Sequence, residues 1–192
     1  MRADARRNRE RVLAAARECF AEHGLDAQVD DVAQRAGVGV GTVYRHFPTK
    51  DALARALADD HFERIEGIIR DALEVEDAWE GFSQFVWRSV DILAADRGLA
   101  QVVAERPEEM EAAALASEGL QSGIEALVAR GKAAGVLRAD LEWWDIPMTM
   151  CVLGHAVQKT GPNMNLARYV TLLLDGLRPC DDNTPLPDPD PS

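Results

Sequence analysis

Cysteine is scarce in this chain: there are three in 192 residues, and no two stand at the spacing of a metal site or a redox pair. Cys19, Cys151 and Cys180 therefore suit a reducing compartment without disulfides. Cys19 and Cys151 fall in apolar patterns, where a thiol packs as a small hydrophobe. Long hydrophobic runs are missing too. The longest uncharged stretch of the apolar body, residues 146–158, has thirteen residues, too few to span a bilayer. The opening run MRADARRNRERV lacks the apolar centre of a signal peptide, so a cytoplasmic, membrane-free protein is expected. Period-2 runs, internal repeats and heptads are absent. So are a P-loop, a nucleophile elbow, a dinucleotide-binding glycine run and any His/Cys/carboxylate cluster at metal spacing. No enzyme, cofactor or metal site is expected.

What is abundant is helix-forming. Alanine, leucine, glutamate and arginine dominate, and apolar residues make up 47% of the chain, as in a globular protein. The net charge of −12 argues against nucleic acid until its distribution is read. Residues 1–50 carry nine Lys/Arg against seven Asp/Glu, whereas residues 51–192 carry twelve against twenty-six. A mildly basic head can approach phosphates, and the acidic body is repelled by them.

Apolar periodicity predicts an all-α protein of about nine helices, over residues 4–23, 29–36, 40–47, 49–74, 79–96, 99–105, 108–134, 145–158 and 163–177. Gly24 closes the first, Pro48 stops the third, and Thr49 suits the N-cap of the fourth. The expected division is residues 1–48 for a three-helix domain and 49–178 for a larger helical domain. A disordered Pro/Asp-rich tail is expected over 179–192.

Two short helices joined by Gly37-Val38-Gly39 make the unit that lays a recognition helix in the major groove. The third helix carries Thr42, Tyr44, Arg45 and His46, all able to donate hydrogen bonds to phosphates or base edges. Gly39 and Gly41 leave the backbone bare, and Lys50 brings charge to the start of the fourth helix. Two readings stand for Arg45, whose side chain faces either DNA or acidic neighbours. Two also stand for Arg6 and Arg7: an arm that tracks phosphates, or a solvated face paired with Glu10 at helical spacing.

The run FAEHGLDAQVDDVAQRAGVGVGTVYRHFPTKDAL, residues 20–53, resembles the DNA-binding domain of TetR-type repressors across its full width. Its A-G-V, G-T-x-Y-x-H-F and K-x-x-L elements fall at that family's spacing, and YVTLLLDGLRP resembles its last helix more loosely. The resemblance implies that Gln28 meets a phosphate, although Ser or Thr is commoner there. It implies that Val40, Gly41 and Thr42 face base edges, that Tyr44 and His46 touch phosphate or base, and that Lys50 clamps a phosphate. Val40 offers only apolar contact, which shifts base readout toward Thr42, Arg45 and the N-terminal arginines.

The resemblance also implies a homodimer that binds a DNA operator and is released by a small apolar or aromatic effector. The alternatives are a regulator without ligand response and a helical protein-interaction module. The candidate pocket residues are Phe62, Trp79, Phe82, Phe85 and Val86, with Ser89, Cys151 and His155. The candidate dimer face is Met150, Leu153 and Val157 with Leu166, Val170, Leu173, Leu174 and Leu177, although the same residues suit a subunit's own core. Gly119 and Gly123 serve close helix packing or ligand space, packing being the favoured reading.

Overall fold

The computed structural model describes residues 2–96, 98, 117–160 and 165–187. Among them are eight α-helices, one 3-10 turn and no strand. The helices are α1 (Arg2–His23), α2 (Val29–Ala36), α3 (Val40–His46), α4 (Lys50–Glu74), α5 (Ala78–Ala95), α6 (Glu118–Ala133), α7 (Asp145–Thr160) and α8 (Leu166–Leu177); the turn is Gly24–Asp26. The all-α expectation holds. The helix expected over 99–105 lies outside the described residues. The one expected from 108 is corrected in its described part: Ser117 is not helical and α6 starts at Glu118. Serine favours the position just before a helix, a local signal that the apolar pattern concealed. No helix among the described residues is long and apolar enough to cross a membrane.

The chain forms two compact units, Met1–Arg64 with Ile92–Ser117, and Ile65–Asp91 with Glu118–Ser192. A boundary at residue 48, suggested by Pro48, therefore gives way to one inside α4. The reason is packing: Leu53, Ala54 and Leu57 of α4 belong to the core of the first unit.

That core is built from single faces of short helices. α1 contributes Val12, Leu13, Ala16, Cys19 and Phe20, α2 contributes Val32, Ala33 and Ala36, and α3 contributes Val43, with Phe47 following it. Cys19 is a small hydrophobe here, and burial pushes its thiol pKa up. The turn between α2 and α3 is closed by two hydrogen bonds. Gly37 N–H donates to Gln34 O (3.1 Å) and Val38 N–H to Ala33 O (3.0 Å). Gly37 has φ +63°, a left-handed conformation that favours glycine. Thr49 Oγ1 accepts from Ala52 N–H (3.0 Å) and caps α4, as its position suggested.

The second unit packs Ile65, Ile68, Ile69 and Ala72 of α4 with Phe82, Phe85 and Val86 of α5 and Ile124, Leu127 and Val128 of α6. α6 approaches α4 closely. A Cβ on Gly123 would stand 2.7 Å from Ile69 Cγ2, and one on Gly119 2.7 Å from a Glu66 carboxylate oxygen, so both glycines serve packing. Arg130 of α6 ends α4 by donating to the carbonyls of Leu73 (2.9 Å), Glu76 (2.8 Å), Ala72 (3.4 Å) and Val75.

The expected disorder from residue 179 is also corrected over 179–187. Arg138 donates to Thr184 O (2.7 Å), Leu186 N–H donates to Asp140 (2.9 Å), and Asn183 donates to Arg178 O (2.8 Å). The bound Arg138 guanidinium holds the Asp140 carboxyl well below the usual carboxylate range. Composition could not reveal this because Arg138 and Asp140 lie 46 residues before Thr184 and Leu186, in the 135–141 loop.

Two outcomes follow. Gly37→Ala should destabilise the protein by about 1–2 kcal/mol, since alanine resists left-handed φ and its Cβ would meet Arg11 Nη2 at 2.8 Å; urea unfolding measures this. His61, buried in the first unit, has its pKa lowered by burial from 6.5 to about 4, against an opposing influence from Asp96. The unfolded chain takes up this proton below pH 6.5 and the folded one resists until about pH 4. Stability should therefore be full above pH 6.5 and fall by on the order of 3 kcal/mol towards pH 4. His61→Leu should flatten that acid limb in unfolding midpoints measured across the range.

Candidate nucleic-acid interface

A seven-residue helix has one inward face, and in α3 it is taken by Val43, fully buried, continued by Phe47 beyond its end. At 100° per residue, this turns Gly41 and Arg45 outward, sets half-buried Thr42 and exposed Tyr44 on opposite flanks, and leans His46 towards the buried side. Tyr44 is 48% exposed and Val40 36%. His46 is half-buried against the Phe47 ring, with centroids 6.1 Å apart. Arg45 is exposed, and among the described residues no hydrogen bond or ion pair engages its side chain. A Cβ on Gly39 or Gly41 would meet nothing within 4 Å, so the front of α3 is open to an approaching backbone.

The surroundings of α3 are polar. Gln28 occupies the N-cap position of α2 without capping it; its Nε2 donates instead to Asp26 O (2.7 Å). Lys50 is the first residue of α4, next to the Thr49 cap.

The N-terminal arginines divide differently from expectation. α1 is helical from Arg2, so Arg6 and Arg7 do not form an extended arm. Arg6 Nε donates to Glu10 (3.1 Å) and Arg7 pairs with Asp4, the contacts of a solvated helix face. The arginines that reach the helix-turn-helix are Arg9 and Arg11. The Arg9 guanidinium lies 6.0 Å from the Phe47 ring centroid, and Arg11 Nη2 donates to Gly37 O (3.3 Å). A signal for both existed. Arg9 extends the buried Leu13–Ala16–Phe20 line back by one turn, and Arg11 does the same for Ala15–Cys19.

In the second unit, Phe82, Phe85, Val86 and Ser89 lie together on the buried side of α5. Ser89 Oγ and Ser83 Oγ, the latter on the same helix, are buried and have no hydrogen-bond partner among the described residues. Trp79 is half-buried under the Arg178 guanidinium, 3.8 Å from its ring centroid. Phe62 belongs to the first unit. The side chains of Cys151, His155 and Val157 lie outside the described residues.

The residues of the candidate dimer face differ in exposure. Met150, Val170 and Leu174 are buried within this subunit, while Leu153, Leu166, Leu173 and Leu177 are half-buried. Exposed apolar residues of the second unit include Trp144 just before α7, Met148 and Val152 at four-residue spacing within it, and Tyr169 and Leu172 on α8. These helices are apolar on two sides, and periodicity alone does not say which side faces inward.

Residues 12–57 match the family described as bacterial regulatory proteins, tetR family, and residues 76–179 match the SbtR-like transcriptional regulator C-terminal domain. Among curated proteins, the HTH-type transcriptional repressor Rv1474c of Mycobacterium tuberculosis is 35% identical over 120 residues, 55% of this chain and 61% of that protein. The match thus spans less than two thirds of that relative. A TetR transcription regulatory protein from Mycobacterium vanbaalenii has a crystal structure similar to this one (38% identity, TM-score 0.68), covering 93% of this chain and 99% of that one. The transcriptional regulator FadR from Bacillus subtilis, solved with stearoyl-CoA, shares the fold at 22% identity (TM-score 0.69, 86% and 95% covered). With both halves of the chain matched, the geometry of α2, its glycine turn and α3 has its family: this chain belongs to the TetR family of bacterial regulatory proteins.

Proposed function

We propose that this chain is a cytoplasmic transcriptional repressor, without enzymatic activity, that binds a DNA operator as a homodimer and leaves it when a small effector binds. The observation that carries the reading is α3 itself, a short helix anchored from behind with a glycine-bared front and free hydrogen-bond donors. Gly41, Thr42 and Arg45 face base edges in the major groove, Arg45 being the residue suited to a guanine. Tyr44, His46, Lys50 and Gln28 take phosphates, and Val40 offers apolar contact to a thymine methyl. Arg9 and Arg11 join this set in place of Arg6 and Arg7.

The second copy covers the exposed Trp144, Met148, Val152, Tyr169 and Leu172. Pairing two copies sets their recognition helices about 34–36 Å apart, one DNA turn. The effector is a small apolar or aromatic molecule held in the second unit near Phe82, Phe85 and Val86, with the Ser89 hydroxyl as a polar anchor. The stearoyl-CoA held by the FadR fold neighbour is in keeping with an apolar ligand for this fold. Release requires the effector to prefer a conformer in which α4, which runs from one unit into the other, carries the DNA-binding unit out of register.

Tyr44→Ala and Lys50→Ala should each weaken operator binding by roughly tenfold, and Lys50→Ala should also lower the salt slope by about one. Fluorescence anisotropy on DNA from upstream of the gene, repeated over salt concentration, reads both; unchanged affinity in both variants would remove α3 from the interface. Val152→Glu with Leu172→Arg should shift the dimer to monomer in sedimentation, leaving helical content intact. A dimer that survives both changes would place the interface elsewhere.

A further inference from the structure

Side chains from three helical segments meet at one cation in the first unit. Arg17 of α1 donates Nε to Asp96 Oδ2 (3.1 Å) and a terminal nitrogen to Asp60. Asp60 lies on α4, and Asp96 directly follows α5. The Asp96 side chain is 4% exposed, against 23% for Arg17 and 27% for Asp60. Removing a carboxylate from water is costly unless a partner compensates it. A guanidinium can serve two carboxylates at once, but its rigid planar fork does so only at a restricted angle between them. One side chain therefore ties α1 to α4 and to the end of α5 at a defined geometry.

This tie stands away from the proposed DNA face. Arg17 is committed to two carboxylates, and its acidic neighbours would repel a phosphate. Lys50, however, is on the same helix as Asp60, about 15 Å up the axis. A change of tilt at Asp60 is thus carried to Lys50 as a displacement. Both α4 and α5 also continue into the second unit. Moving either helix leaves the fork two choices: hold both carboxylates, or give up its contact with one of them. Discrete alternatives of this kind are what a two-state coupling element requires.

We propose that Arg17 is a positioning residue for DNA binding, holding Asp60 and Asp96 together so that α4 and α1 present Lys50 and α3 in one fixed arrangement. The proposal rests on the DNA-binding reading above. Its probe is a duplex that the wild-type protein selects from a random-sequence pool. Arg17→Gln, under conditions where circular dichroism shows it folded, should bind that duplex about tenfold more weakly, with an unchanged dependence of log K on log salt. Combined with Asp96→Asn, it should lose less than the product of the two single losses, because both changes remove the same contact. Binding within twofold of wild type, a shallower salt slope, or fully multiplicative losses would overturn the proposal. Should Arg17→Gln fail to fold, Asp60→Asn at its more exposed site carries the same test. If the wild-type protein selects no duplex, the DNA-binding reading fails by itself, and hydrogen exchange then decides whether the tie exists. Arg17→Gln should speed exchange in residues 50–60 while residues 118–133 keep wild-type rates; equal rates in residues 50–60 would dismiss the tie as well.

Discussion

Everything on the outer face of α3 depends on the anchoring of Val43 and Phe47 behind it. A helix of two turns is unstable alone in water, because nucleation costs more than so few hydrogen bonds return. Its existence is therefore tertiary, and its orientation is whatever its buried residues impose. Val43 and Phe47 lie in a core supplied by α1, α2 and α4, so the direction of Thr42 and Arg45 is a property of four helices. The left-handed Gly37 contributes by turning the chain sharply enough for α3 to reach that core.

Arginine does much of the joining elsewhere. Arg35 clasps Glu22 with two hydrogen bonds (2.9 and 2.7 Å) and ties α2 to α1, Arg130 ends α4, and Arg138 holds the segment after α8. In each case one cation satisfies several acceptors, which suits a protein with an excess of acid. Part of the acid is thus neutralised locally, as carboxylates held by fixed guanidinium groups. Lysine, a point charge on a flexible stem, would hold fewer of these acceptors at once.

Much of this was legible in the sequence, for identifiable reasons. α2 is found at its expected limits because Asp30, Asp31 and Gly37 mark both ends, and Thr49 announces α4 as a cap. Tyr44 and Arg45 are exposed as a helix-turn-helix requires. Less legible was anything that depends on which apolar face turns inward. Met150 and Met148 are equally apolar on paper, yet one is 9% exposed and the other 62%. The roles of Arg9 and Arg11 were hidden among neighbouring arginines, since charge count does not distinguish a residue one turn ahead of a buried line from one beside it. The attachment of residues 179–187 was invisible because a Pro/Asp-rich composition describes a segment and not the loop that receives it.

The placement of the aromatic side chains has an optical consequence. All four tryptophans, Trp79, Trp87, Trp143 and Trp144, belong to the second unit, and the first unit has none. The two tyrosines are split, Tyr44 on α3 and Tyr169 exposed on α8. Intrinsic tryptophan emission is consequently a signal from one half of the molecule alone. Events in the other half are dark in that channel unless they travel through the helices the two halves share.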